Sequence, residues 1–551
     1  MLYSKKNSVH ITFYNILCVS LFFMSFVVSE AQERIVHFPK DKSMGMLLIL
    51  DMNDVDTSSY VDWQPLCEAR GDVKVPQGKA LRLDLDKNAG NDLSALSKLE
   101  PDDLAMLFCQ SVEIQDEQFK YISNLTGLRN IDLQETYILG TGLKYFDKLK
   151  SLNNLSLSNT DVGDNELAYL SNLPSLEYLN LSFTPTTDAG MVHIGKIKSL
   201  QVLILSPGIN DEGLSHLKNL SHLRRLSVSN QEVTNAGLAY LAGLKNIEHL
   251  NLDNAQINDE GIAYLKGMTK LKTLRLYGAG VTENCFIHLE GLNNLEELLV
   301  LFSVTDKGIS YLSRLPSLKN IIIDGKSITD KGLELLAKMT SLECIYIDDT
   351  EKMDVIIGKV TNLSNIKEMT IGTGLTNEGL MKLKNMKSLQ KLTIEPTQIT
   401  GEGIGSLAAL PSLKILNLNQ VKLTSEEDWV SLGKLSSLEE LSLKHMRSEV
   451  YDAHIAHLSG LQNLKFLYIS AIKNNDGELI YSLDITNEGL KHLAKIKSIE
   501  EIYLIGSKIT DDGLKYLEDM KSLKWLYLQR SKVTEEGLER LKKKLPALQW
   551  Q

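Results

Sequence analysis

The stretch Leu176-Glu177-Tyr178-Leu179-Asn180-Leu181-Ser182, followed by Thr187-Asp188-Ala189-Gly190-Met191, decides the fold of this 551-residue chain. Leu179 and Leu181 alternate with polar residues, so the segment predicts a short strand with one face inward and the other toward solvent. Thr187 and Asp188 then offer a helix cap and a negative first turn. Met191 and Ile194 follow at a spacing that returns a helical face to the same core. Gly190 marks a place where one backbone approaches its neighbour closely. The pattern recurs about every 24 residues: its first apolar position falls at Leu128, Leu152, Leu176, Leu200, Leu223, Ile247, Leu271 and Leu295, and continues to Leu523. Twelve units keep the glycine, from Gly142 to Gly537. A fixed period of this length means a solenoid, in which each unit buries its apolar face only on its neighbours. That solves the problem of length, since one compact core does not grow to 551 residues. The prediction is an α/β array of about 19 strands in one continuous concave parallel sheet, with helices on the convex side. At roughly 4.8 Å per strand the arc measures on the order of 90 Å.

The phrases Ile328-Thr329-Asp330-Lys331-Gly332-Leu333 and Ile509-Thr510-Asp511-Asp512-Gly513-Leu514 resemble the T-D-x-G-L class of bacterial leucine-rich-repeat proteins. More distantly they are similar to the repeats of ribonuclease inhibitor and of F-box substrate receptors. The resemblance covers about residues 100 to 551 and implies a leucine-rich-repeat solenoid with a protein-interaction role. It carries over no catalytic residue, because the motif is structural. No F-box-like helical segment precedes the repeats, so a ubiquitin role is not expected.

The N-terminal region reads differently. Lys5 and Lys6 precede an apolar run from Ile11 to Val28, and Ser29-Glu30-Ala31 supplies small residues at −3 and −1 of a cut before Gln32. This predicts a signal peptide over 1–31, or, if it is left uncut, a membrane anchor. Removing Lys5, Lys6 and Glu30 would carry the formal charge from −11 to −12. No second spanning segment is expected, so the destination is secreted, periplasmic or cell-surface. Residues 32–79 lack the repeat and predict a small β-rich cap. Within it Gly45–Asp51 reads as a strand, and Val73–Val75 and Leu81–Leu85 as a hairpin through Pro76-Gln77-Gly78. Trp63 is expected to help cover the open end of the first repeat. The solenoid then occupies 80–551, with an insertion near 472–482 where the step from Leu464 to Ile499 lengthens to 35 residues. Insertions in such arrays map to loops, often beside the binding face.

Outward strand positions locate a candidate surface. Three successive strands place Phe466, Tyr468 and Ser470, then Glu501, Tyr503 and Ile505, then Trp525, Tyr527 and Gln529 toward solvent. The predicted partner-binding residues are Phe466, Tyr468, Tyr503, Ile505, Trp525 and Tyr527. Two readings stay open: an interface anchored by aromatic residues, or a ladder that stiffens the last strands. Leu299, Leu301 and Ile322 form a weaker apolar group, read as register drift within Leu298–Leu301.

Chemistry is sparse. His454 and His457 share a helix face with His445 upstream, but their apolar neighbours Ile455, Leu458 and Leu461 favour an ordinary surface helix over a metal site. Asp84, Asp86 and Asn88 imitate a calcium loop whose glycine, Gly90, comes one residue late and whose closing glutamate is missing. There is no phosphate loop and no nucleophile elbow. Cys67, Cys109, Cys285 and Cys344 show neither paired spacing nor metal-ligand spacing; Cys109 falls on a core position. The charge is negative and without a basic stripe, and Lys542-Lys543-Lys544 suits the last turn of a terminal helix. No enzyme activity, cofactor, metal or nucleic-acid partner is therefore expected. The function predicted is an exported protein-binding scaffold using its concave face, with a glycan-binding adhesin or a structural envelope protein as alternatives.

Overall fold

The computed structural model describes residues 33–55, 63–471 and 483–550. The signal segment 1–31 and the insertion near 472–482 lie outside the described residues. Repeat strands stack in chain order with their leucines in line: Leu179 pairs with Leu203, then Leu226, Leu250 and Leu274 follow in the same register. Those leucines, with Leu181, Leu205 and their equivalents, fill one continuous buried core between the sheet and the helical side. The result is a curved α/β solenoid with a β-rich N-terminal region.

Three details differ from the sequence expectation. The repeat strands do not form one sheet. Among the described residues they divide between a 12-stranded sheet, which also includes the cap strands Gly45–Asp51 and Gln64–Glu68 and ends at Glu297–Leu299, and a 10-stranded sheet beginning at Asn320–Ile323. Four consecutive apolar residues, Leu298–Leu301, lie at the split. Leu298 and Val300 enter the core, Leu301 turns outward and is 75% exposed, and Phe302 leaves the strand to stack on Phe286 at 5.8 Å. One backbone bond, from Lys319 N to the Glu296 carbonyl (2.8 Å), and a bridge between Val304 and Ile323 still cross the gap.

The expected hairpin is also replaced. Lys79–Leu85 pairs antiparallel with Gly45–Asp51 along all seven residues, whereas Asp72–Val75 pairs with Arg34–His37. A seven-residue strand buried along most of its length needs a partner as long as itself to satisfy its amides, and Asp72–Val75 is too short. Lys79–Leu85 is at once the partner of Gly45–Asp51 and the first parallel strand of the array, pairing with Met106–Phe108. Trp63 packs with Leu50, Val55, Ala80, Ala105 and Met106 in a small satellite core. The third difference is on the convex side. Its early segments, Asp116–Ile122, Thr141–Lys148 and Glu166–Asn172, are 3-10 helices, and α-helix starts at Asp188–Ile194.

The recurrent Thr-Asp-x-Gly phrase has a specific structural task. The Asp164 carboxylate accepts hydrogen bonds from the next repeat: Thr187 N at 2.7 Å, Thr187 Oγ1 at 2.6 Å and Gly190 N at 3.1 Å. Asp211 accepts from Thr234 N (2.8 Å) and Thr234 Oγ1 (2.6 Å) in the same way, while that hydroxyl caps its own helix by accepting from Ala236 N (3.2 Å). Each carboxylate thus lies between two helix N-termini, where negative charge is favoured. The glycine is required by space. A Cβ on Gly213 would lie 2.4 Å from Asp188 Oδ1, the atom its amide donates to at 3.0 Å, and 2.6 Å from Ile209 Cγ2. Glu283 takes the role for Thr305 (2.9 Å) and Gly308 (3.1 Å), and Asn487 for Thr510 (3.0 Å). Asp452 reaches Thr486 N at 2.8 Å and Gly489 N at 2.9 Å, so the link is kept across the 35-residue step.

A second set of bridges lines the strand entries. Glu248 accepts from Arg224 (2.6 Å) and Lys272 (2.8 Å), one repeat to either side, and Glu439 likewise joins Lys414 (2.7 Å) and Lys465 (2.6 Å). These cations hold both carboxyls well below the usual glutamate value of 4.5, at about 2.

Two outcomes are expected. Gly213→Ala should lower unfolding stability by about 1–3 kcal/mol through overpacking at the Asp188 bridge. Gly243→Ala should be neutral or slightly stabilising, since its Cβ would find its nearest neighbour 4.0 Å away. Urea titrations of both variants make the comparison. The second concerns acid. A depressed carboxyl adds stability above its unfolded value and loses it as pH falls through the folded one. Because the partner cations are half exposed, each glutamate contributes at most about 1 kcal/mol. The double variant Glu248→Gln, Glu439→Gln should therefore lose less stability between pH 7 and pH 3 than the parent chain, read as the shift in urea midpoint.

Candidate functional site

The strands Phe466–Ala471, Glu501–Ile505 and Trp525–Tyr527 lie side by side. Their register makes Tyr468, Tyr503 and Tyr527 direct lateral partners and places Phe466 in line with Glu501 and Trp525. The tyrosine rings form a continuous offset stack, with centroids 5.7 Å apart from Tyr468 to Tyr503 and 5.3 Å from Tyr503 to Tyr527, both tilted by 26°. Phe466 leans on Tyr503 at 5.3 Å. Each such pair adds about 0.5–1.5 kcal/mol beyond area burial.

Polar groups contact each member of the tyrosine row. Tyr503 Oη donates to Glu501 Oε2 at 3.1 Å, and burial, with Glu501 beside it, raises the phenol above its ordinary value. Gln529 donates to Tyr527 Oη at 3.0 Å. The Lys444 ammonium sits 5.3 Å above the Tyr468 ring. The four stacked rings are half-buried by one another, so they show edges and hydroxyls outward more than faces. Trp525 is the most open member at 40% exposure. It and Ile505 join this face through strand register alone; among the described residues neither makes a ring contact. Leu299 and Ile322 are half-buried and flank the split between the two sheets, with Leu301 outward.

The histidines have local duties. His454 stacks on buried Trp429 at 5.0 Å with the planes 3° apart, and its Nδ1 accepts from Tyr451 N at 3.2 Å. Burial and the neighbouring His457 lower its basicity. His457 pairs with Glu426 at 3.2 Å. Asp84 is engaged by Arg82, whose Nη2 donates to it at 2.9 Å. Among the described residues no three His, Cys, Asp or Glu side chains are grouped to hold a metal ion. Cys109 and Cys285 are buried thiols, the first pushed well up by desolvation and the second pushed up to about 12, so neither is a ready nucleophile.

Three concavities were not singled out by sequence reading. One of about 210 Å³ lies on the concave face by Trp63, Asn130 and Tyr178; Asn130 is 8% exposed and its Oδ1 has no hydrogen-bond partner. Another, about 470 Å³, is flanked by Arg225, His249 and Arg275. The largest, about 790 Å³, follows the rim where strands end, past Glu135, Tyr137, Asn159 and Phe183. A column reading at 24-residue spacing, Ser111, Glu135, Asn159, Phe183, would have exposed the odd aromatic in that last one.

Residues 103–335 match the leucine-rich repeat region family. No curated protein sequence matches the chain. Among solved structures, a leucine-rich-repeat protein of Leptospira interrogans is 18% identical, with a TM-score of 0.36 over 84% of this chain and 98% of that one. An internalin of Listeria monocytogenes is 18% identical, with a TM-score of 0.32 over 73% and 87%. TLR13 in its complex with ssRNA13 is 19% identical, with a TM-score of 0.49 over 82% and 73%. The family match spans residues 103–335, and among the described residues the same repeat geometry runs on to Gln549–Trp550, so the fold is a leucine-rich-repeat solenoid.

Proposed function

We propose that the chain is an exported protein-binding scaffold of the bacterial T-D-x-G-L class, and that its partner docks on the concave face over Phe466, Tyr468, Tyr503, Ile505, Trp525 and Tyr527. The observation that carries this reading is the stacked tyrosine row with Trp525 open beside it. Aromatic side chains fixed by their neighbours lose little entropy on binding, which is what makes them effective anchors. The ring faces are spent on each other, so the row offers edges and hydroxyls. That suits the mixed apolar and polar side chains of a protein better than the flat face of a sugar.

Export rests on the predicted leader over 1–31, and the domain plan on a cap over 32–79 followed by the array. No helix among the described residues is long and apolar enough to cross a membrane. The formal charge of −11 argues against a nucleic-acid partner, whose phosphates require a basic surface. His454 and His457 are engaged by neighbouring side chains and Cys109 and Cys285 are buried in the core, which supports a non-enzymatic role.

The test is a cross-linking pull-down from the parent cell envelope with the chain from Gln32 onward. Its controls are a Tyr468→Ala, Tyr503→Ala, Trp525→Ala, Tyr527→Ala variant and Trp525→Ala alone, which removes no stacked ring. A protein partner should be recovered with the parent chain, reduced several-fold with Trp525→Ala and lost with the fourfold variant, while circular dichroism stays unchanged for the single variant. Equal recovery with all three chains, or no partner, would contradict the assignment.

A further inference from the structure

Four consecutive repeats leave the sheet through a left-handed residue at the same place: Ser111 (φ 58°), Glu135 (φ 58°), Asn159 (φ 54°) and Phe183 (φ 57°). Small or polar residues, asparagine above all, tolerate this conformation, and a bulky aromatic rarely adopts it. Packing does not explain Phe183, because its ring is 72% exposed. The same slot is left-handed at Asn254, Gln420, His445 and Arg530, so the turn belongs to the repeat, and what sets Phe183 apart is an exposed aromatic ring in that slot. Tyr137 borders the same groove and is 77% exposed. With Leu301, these are the most exposed large apolar side chains among the described residues. Both aromatic faces are free, unlike those of the C-terminal row.

The groove between them mixes apolar and polar lining, with Pro185 and Pro207 beside threonine, serine and acidic side chains. On its floor the hydroxyls of Thr136, Thr160 and Thr184 donate inward to the carbonyls of Leu133, Leu157 and Leu181 at 2.6, 2.7 and 2.7 Å. The walls carry acceptors. Glu135 is oriented by Ser111 Oγ at 2.7 Å and Gln134 Nε2 at 3.2 Å, and these bonds keep it ionised below the usual carboxylate range. Asn159 and Asp161 stand beside it. No lysine, arginine or histidine lines the groove, so nothing there would recognise an anion. Phe183 lies two repeats beyond Glu135 and Tyr137, roughly 10 Å along the rim at about 4.8 Å per strand. The volume of about 790 Å³ falls within the range of ligand sites.

We propose that this rim groove is a carbohydrate site for a neutral oligosaccharide. Its sugar rings stack their C–H faces on Tyr137 and Phe183, whose electron-rich faces attract polarised C–H bonds. Its hydroxyls donate to the carboxylates of Glu135 and Asp161. The span between the two aromatics selects a chain of sugars over a single ring. The site is independent of the protein-docking face proposed above, because it shares no residue with it.

The test screens the full chain on an array of neutral glycans that includes cello-, chito-, malto- and xylo-oligosaccharides, with titration calorimetry on the strongest. Saturable binding to at least one class is expected. Phe183→Asn places in the left-handed slot the residue that occupies it at Asn159. It should weaken that binding at least tenfold while the melting temperature stays equal or rises. Tyr137→Ser should weaken it comparably, and Trp525→Ala should leave it unchanged. The proposal is overturned if no neutral glycan binds, if binding survives both rim variants, or if a peptide takes the groove in a Phe183-dependent way where sugars do not.

Discussion

A carboxylate that reaches one repeat forward is the interaction on which the rest of this molecule depends. Asp164, Asp188, Asp211, Glu283 and Asp452 each accept the amide at the start of the next helical segment, and several also take its threonine hydroxyl or glycine amide. One such link is worth on the order of 1 kcal/mol after competition with water. Its importance comes from repetition, since a solenoid is stable only as the sum of its nearest-neighbour interfaces. The link also fixes phase. A carboxylate that must meet an amide, a hydroxyl and a glycine without a Cβ permits one offset between adjacent repeats. The concave strand positions then fall into straight rows.

That control of phase is clearest where the sheet gives way. Between Glu297–Leu299 and Asn320–Ile323 the strand ladder stops, yet on the helical side Glu283 still holds Thr305 and Asp306 holds Thr329 N at 2.8 Å. Across the longest step in the chain Asp452 still holds Thr486. Both proposed binding surfaces depend on this regularity. Tyr468, Tyr503 and Tyr527 stack because their repeats are in phase, and Tyr137 and Phe183 face one groove because two repeats separate the strands that carry them. The two surfaces differ in what they leave free, ring edges in one and ring faces in the other.

The fold was legible because a 24-residue period is a long-range signal written locally. The lateral tyrosine partners followed from the same period, and so did the core place of Cys109. The glycine was recognised as a close approach, but its partner was not, because the Asp that meets Gly190 lies 26 residues upstream in another copy of the phrase. The sheet split escaped because Leu298–Leu301 reads from sequence only as a local drift in register, which does not say that the strand ladder stops beyond it. The cap hairpin failed for a related reason: turn residues at Pro76-Gln77-Gly78 announce a reversal without saying which strand is long enough to pair. The rim groove was hidden because backbone sign is invisible in sequence unless glycine marks it, and Phe183 is the last residue type expected there.

The most direct test of the account is native-state hydrogen exchange at the amides of Thr305, Gly308 and Thr329, beside the split between the sheets. If the carboxylate links hold the repeats in phase, these amides exchange as slowly as those of Thr187, Gly190 and Thr234, where the sheet is intact. Exchange at the rate of open loops, with Thr187 and Thr234 still protected, would show that the array opens at the split and that the strand ladder, not the carboxylate link, holds the solenoid together.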